Sequence, residues 1–349
     1  MMAARTGTEI LVDRAGPLTR AAVLGGGRLT DLYIDNAGRP SRLGAVVLGR
    51  VERIATGLDA AFVDLGDGVS GLLGAADVRL AQEGRRGKPE RIGTLLRTGQ
   101  PVLVQVKADA VGAKGPTLTM DVTLPGRFLV HAPFSTGIAV SKRLAQGAAR
   151  ADLLRRLEAV VVGDGWIARS GAADADPDLV AAEADALAAA WRGIAQAAAG
   201  GAAVPVRLHD GPDAPRRALV EHGGGAVVRI EVDGRALAAD LAAWCAAAAP
   251  DLAGRIVPYA GPPALFELRD VESEIDALTG TRVPLSAGGS LVIERTEALT
   301  VVDVNAGERG NPLDVNLAAA AEIARQLRLR NVGGIVVVDF VNMRGRGDA

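Results

Sequence analysis

Two aspartates occupy matching places in two β-branched runs. One run is Leu299-Thr300-Val301-Val302-Asp303-Val304-Asn305, and the other is Gly334-Ile335-Val336-Val337-Val338-Asp339-Phe340. If both are strands joined by a right-handed crossover, they lie parallel and both carboxylates fall near the carboxyl ends. Side chains there open onto the crevice where α/β sheets place their sites. Two converging carboxylates repel each other, and a divalent cation relieves that repulsion. Magnesium suits the pair, because it takes oxygen ligands, often only one or two carboxylates, and keeps several waters. Such a site can direct a water at a phosphodiester while the metal stabilises developing charge. Asn305, two residues after Asp303, shares its strand face and could hold a phosphate oxygen or a metal-bound water. The plainer reading is that both aspartates cap helices or accept loop hydrogen bonds, and spacing alone leaves both readings open.

The elements that must position these residues are legible from pattern. Asn316 to Arg330 has helical periodicity, and Asn331-Val332-Gly333-Gly334 supplies glycines suited to its carboxyl cap. Ile335 to Phe340 is apolar throughout, which predicts a parallel strand buried on both faces. Upstream, Ala21 to Leu24 and Leu29 to Ile34 flank Gly25-Gly26-Gly27 as a hairpin. Five short alternating runs follow: Ala45 to Ile54, Ala60 to Leu65, Gly71 to Leu73, Pro101 to Val106 and Leu118 to Val122. They suit a small barrel such as an OB-fold. Gln82 to Arg91 reads as a charged loop within it. Strands are then expected at Arg127 to His131, Gly137 to Val140 and Gly165 to Ser170. Helices are expected over Ala148 to Val161 and Asp178 to Gln196. Val204 to Leu208 and Ala226 to Val232 read as strands, and Ala236 to Ala249 as a helix carrying Cys245.

Composition excludes several classes. The chain has 349 residues, 39 basic and 41 acidic, for a net charge of −2. That balance excludes a uniformly basic nucleic-acid binder but not a local basic groove. The single cysteine excludes a disulfide framework or a cysteine-based zinc site within the chain. With 49% hydrophobic residues the chain has ample apolar surface for packed cores. No run approaches the length of a membrane span, and Met1 to Arg5 shows no signal-peptide pattern. A cytoplasmic location is expected.

Taken in order, these residues resemble the ribonuclease E/G family. The match runs through Gly288-Gly289-Ser290-Leu291-Val292-Ile293, Thr296-Glu297-Ala298-Leu299-Thr300, Asp303-Val304-Asn305, Asn316-Leu317, Glu322 to Arg330, Gly333-Gly334 and Val338-Asp339-Phe340. Upstream, Glu52-Arg53-Ile54, Ala60-Ala61-Phe62-Val63-Asp64 and Lys114-Gly115 look like its S1-type RNA-binding OB-fold. Gly126 to Val130 and Gly165-Trp166-Ile167-Ala168-Arg169-Ser170 look like its 5′-monophosphate sensor. The resemblance implies a multidomain α/β (α+β) chain: an RNase H-like subdomain in two parts (1–40 and 218–285), an OB-fold (41–124), a sensor region (125–217) and a truncated DNase I-like catalytic subdomain (286–349). It implies a Mg²⁺-dependent endoribonuclease that cleaves single-stranded, A/U-rich RNA and prefers 5′-monophosphate ends. Asp303 and Asp339 would hold Mg²⁺, with Asn305 beside them. Phe62 would stack a base and Lys114 would contact the RNA backbone. Gly126, Val130, Lys142, Arg169 and Ser170 would form the phosphate sensor.

Four departures from the family pattern follow. Ten residues remain after Asp339, so a short form without the family's CPxC zinc link is expected, and any homo-oligomer would lack that link. The loop Ala306 to Asp314 is shorter than in the long members. Leu72 stands where a second groove aromatic is expected. Lys142 replaces an arginine and Ser170 a threonine, so one bidentate fork is lost and the hydroxyl is kept. The alternative reading is an RNA-binding protein of the same fold without cleavage.

Overall fold

The computed structural model describes residues 7–79, 91–112, 114–140, 144, 146–201, 203–307 and 311–343. Four sheets carry the described residues. In the first, the strands Ile256–Tyr259, Val227–Asp233 and Thr8–Ala15 run parallel, and Leu18–Gly25 and Arg28–Asn36 continue it as an antiparallel meander. Distant parts of the sequence thus share one sheet. Gly26 and Gly27, both at positive φ (60° and 82°), make the hairpin turn that a side chain would strain. Alternation buries both faces. Ile10, Val12, Ala21 and Val23 pack under the helices Ala214–His222 and Arg235–Ala248. Leu11, Ala22, Leu24 and Leu29 pack against Leu265, Phe266 and Val271.

The second sheet closes on itself. Val46–Ala55 pairs with Ala60–Asp64, which pairs with Ser70–Gly74, then Thr117–Thr119, then Pro101–Ala108, which returns to Val46–Ala55. The result is a small five-stranded barrel filled by Val47, Val51, Ala61, Val63, Leu73, Val104 and Leu118. The strand Val206–His209 adds to its outside. Gln82 to Glu90 of the expected charged loop lies outside the described residues.

The third sheet, Ile138–Val140, Trp166–Ala168, Leu129–His131 and Leu124–Pro125, packs on the helices Gly147–Val160 and Pro177–Ala199. The fourth runs Arg282–Pro284, Ser290–Arg295, Leu299–Asn305 and Ile335–Asp339, with the helix Pro312–Leu329 on one face. Its last two strands are parallel, as the crossover argument requires.

Two sequence expectations need correction. Ile335–Asp339 is not buried on both faces. It is an edge strand among the described residues, with Val336 and Val338 packed on the core and Ile335 and Val337 exposed (62% and 48%). A solid apolar run cannot distinguish these cases, because its alternation is invisible without polar residues. The helix also stops without a glycine. Asn331 takes the left-handed conformation (φ 49°), which its short polar side chain tolerates, and Gly334 (φ 84°) directly precedes the next strand.

Candidate active site

Asp303 and Asp339 face each other in register across the parallel pair. Strand neighbours lie about 4.8 Å apart, and residues in register project from the same face. Val302, Val304 and Val338 turn to the core, so both carboxylates stand on the opposite, open face, and both are exposed. Asn305 is on that face two residues on, and its Nδ2 donates to Asp303 Oδ2 at 2.7 Å. The amide therefore fixes the Asp303 rotamer and leaves the other carboxylate oxygen outward. The donor set is two hard oxygen carboxylates, with no cluster of three or more His, Cys, Asp or Glu among the described residues. That is too sparse for a full protein cage but fits a cation that keeps most of its waters.

Two nearby residues carried no functional weight in the sequence. Ser290 is in register with Asn305, is 3% exposed, and its Oγ has no hydrogen-bond partner. Asn316, on the helix, exchanges two bonds with one residue beyond the edge strand. Its Oδ1 accepts from Val341 N at 3.0 Å and its Nδ2 donates to Val341 O at 2.9 Å. The signal for Ser290 is the strand register, which a sequence does not display.

On the barrel, Phe62 is half-buried on the outer face, in register with Leu72, while Ala61 and Leu73 fill the core. Phe62 is thus not a core residue. Lys114 is exposed in a turn bridged by Val111 and Lys114.

The other described candidates lie on or beside the third sheet. Arg169 Nη1 donates to Gly126 O at 2.9 Å, and its Nη2 pairs with Glu221 at 2.6 Å. Ser170 follows, exposed, and Val130 is half-buried in register with Ile167. Lys142 lies outside the described residues. A carboxylate that sequence reasoning passed over organises this corner. Glu183, 5% exposed in the alanine-rich helix, accepts the backbone N–H groups of Arg127 (2.7 Å), Phe128 (2.8 Å) and Leu129 (2.9 Å). Burial raises its pKa, opposed by those three bonds and by Arg127. Any side chain at position 126 would strike the Glu183 carboxyl, at 2.5 Å from a Cβ, so the glycine is required there. Arg127 is held in turn by Asp251 at 2.8 Å.

The described candidates therefore form three groups: the carboxylate pair with Asn305, Phe62 beside Leu72 on the barrel that also carries Lys114, and Gly126 with Arg169.

A family model described as Ribonuclease E/G family matches residues 123–349. Ribonuclease G of Salmonella typhimurium (strain SL1344) is 33% identical over 350 residues, covering 96% of this chain and 71% of the relative. Ribonuclease G of Escherichia coli (strain K12) matches with the same identity and coverage. Ribonuclease E of Nostoc sp. (strain PCC 7120) is 35% identical over 322 residues, covering 88% of this chain and 46% of the relative.

Proposed function

The chain belongs to the ribonuclease E/G family of endoribonucleases, and from that premise we propose that it hydrolyses single-stranded RNA at the Asp303–Asp339 face with Mg²⁺. The observation that carries this reading is the in-register pair of exposed carboxylates, with Asn305 bound to one of them. Asp303 and Asp339 would hold the ion through their free oxygens. A bound Mg²⁺ would supply positive charge against the charge that develops on the phosphate. Asn305 keeps Asp303 in one rotamer. Water adds to phosphorus and the bond to the 3′-oxygen breaks, leaving a 3′-hydroxyl and a 5′-phosphate. The exposed face gives a flexible strand access without unwinding a duplex.

The barrel is read as an S1-type OB-fold that holds the strand by stacking on Phe62 and by the charge of Lys114. Its closed five-strand order supports that reading. A preference for A/U-rich sites and for 5′-monophosphate ends would follow from the family pattern. In the sensor corner, Arg169 is already shared between Gly126 O and Glu221. A terminal phosphate there must compete with the Glu221 carboxylate.

The test is cleavage of a 5′-monophosphorylated A/U-rich oligonucleotide with Mg²⁺ or with chelator. Asp303→Asn and Asp339→Asn are each expected to lower the cleavage rate by about a hundredfold or more while RNA binding in chelator stays intact. Undiminished cleavage by either variant overturns the site. Binding by the unaltered protein with no cleavage under any metal condition would favour an RNA-binding protein of the same fold.

A further inference from the structure

The barrel's first strand carries a register irregularity. Val51 pairs with Val63, and the next pair is Arg53 with Phe62, so Glu52 has no residue opposite it. Val51 lies in the barrel core, and Ile54, opposite Ala61, packs against the same core. Strict alternation from Val51 would send Arg53 inward. The extra residue returns Arg53 to the outer surface, which is how a bulge re-aims a side chain. There the Arg53 guanidinium carbon sits 4.3 Å from the centroid of the Phe62 ring.

The register continues outward from this contact. Phe62 is opposite Leu72, and Leu72 is opposite Thr117. Arg53, Phe62, Leu72 and Thr117 thus form one row across four strands, roughly 14 Å long at the usual strand spacing. Lys114 is exposed three residues before Thr117. The row has Arg53 at one end, Thr117 at the other and the apolar side chains of Phe62 and Leu72 between.

Arg53 also differs from the other arginines stacked on phenylalanine. Arg20, over Phe266, is paired with Asp13 and Glu272. Arg127, over Phe128, is paired with Asp251. Arg79, over Phe134, is paired with Asp121. Arg53 is exposed and has no carboxylate partner among the described residues. Its neighbour Glu52 is taken by the Ser70 hydroxyl at 2.6 Å.

We infer that Arg53 and Phe62 act as one RNA-binding unit, in which the guanidinium braces one face of the ring and neutralises the phosphate beside the base stacked on the other face. The inference rests on the reading of the barrel as the single-strand binding surface. A guanidinium lying flat on a ring keeps its N–H edge free for a phosphate oxygen, and a lysine ammonium cannot do both. With Leu72 in place of a second aromatic, the brace makes the one remaining platform rigid.

The test measures binding of a fluorescent single-stranded oligonucleotide in chelator, across a salt series, with melting temperatures recorded in parallel. Phe62→Ala is expected to weaken binding about five- to a hundredfold. Arg53→Gln is expected to weaken it about three- to tenfold and to lower the salt slope by about 0.7, one phosphate's share on a single strand. Arg53→Lys should keep the slope and lose about two- to fivefold in affinity. The double variant Arg53→Gln/Phe62→Ala should bind only slightly less well than Phe62→Ala. Unchanged affinity and slope in Arg53→Gln, with Phe62→Ala weakened, overturns the inference and leaves the barrel reading standing. Fully additive losses overturn the statement that the two act as a unit. No loss in either single variant overturns the barrel reading itself.

Discussion

Acidic side chains are set side by side on parallel strands in two places, and the protein treats them in opposite ways. On the first sheet, Glu9 and Asp13 share a strand face with Glu231 of the neighbouring strand. Arg20, Arg229 and Arg269 meet these acids, and Arg229 lies 3.1 Å from Glu231. Arg20 bonds Asp13 through Nε at 2.8 Å and reaches Glu272 at 2.6 Å, and Arg269 bridges Glu231 at 2.7 Å and Glu9 at 2.6 Å. On the fourth sheet, Asp303 and Asp339 face each other with an amide on one of them, and both are exposed. The same arrangement of acids is a strut where the chain supplies the cation. On the fourth sheet no basic side chain pairs with either aspartate among the described residues, and the two carboxylates stay open to solvent. Both places set carboxylates on parallel strands, and the difference lies in the guanidinium groups that meet the first set.

The comparison can be broken most forcefully at its buried end. Arg269→Met would remove the cation that Glu9 and Glu231 share, while Glu231 keeps Arg229 at 3.1 Å, at a cost of up to about 3–5 kcal/mol in unfolding free energy. A denaturant titration that shows under 1 kcal/mol would mean the network is not a strut. Glu183 is an intermediate case, a buried carboxylate met by backbone amides as well as by an arginine. Glu183→Gln keeps the shape but replaces one acceptor oxygen with a donor that faces an N–H group, and about 1–3 kcal/mol should be lost. Equal stability would show that the three backbone bonds are dispensable.

Histidine gives a pH version of the same test. His131 is stacked on Trp166 with ring centroids 4.3 Å apart, its Nδ1 has no partner, and burial lowers its pKa below the ordinary 6.5. The unfolded chain therefore binds this proton more readily than the folded one. The stabilisation from keeping the ring neutral is complete above pH 6.5 and fades as the pH falls below that value. Unfolding midpoints should drop between pH 7.5 and pH 5.5, and His131→Phe should flatten that drop. An unchanged slope in the variant would assign the pH dependence to other groups. The smallest effect is expected at the open end of the comparison. Asp303→Asn and Asp339→Asn should change stability by no more than about 0.5 kcal/mol, even as they remove cleavage. A large loss would mean that these carboxylates hold the sheet together.

The parts legible in the sequence are those in which polar and apolar residues alternate visibly. The five barrel runs, the glycine hairpin and the strand–helix–strand around Asp303 and Asp339 all fall close to their observed positions. Pattern failed where every residue was apolar, so Ile335–Asp339 looked buried on both faces. It also failed where the decisive fact is a partner distant in sequence. Glu183 looked like one polar residue on an alanine-rich helix, although it binds three consecutive N–H groups more than fifty residues upstream. The helix Ala214–His222 was missed although Asp213 caps it, accepting from Arg216 N at 2.9 Å, with Pro215 in the first turn. Within the candidate site, identity and spacing exposed the carboxylates and Asn305. The unpartnered hydroxyl of Ser290 and the outward turn of Arg53 depend on register, and a single bulged residue reverses register.

The Asn316 side chain has a consequence for how finely the carboxylate pair is set. An edge strand with one neighbour can slide, and a slide of one residue would carry Asp339 through the sheet to the core side. The Asn316 amide imitates a peptide group, and gives to and takes from Val341 as an adjacent strand would. Val341 lies two residues past Asp339, which is the repeat of the pleat. The helix thus works as a register gauge: it reads the strand at a fixed mark and holds Asp339 level with Asp303.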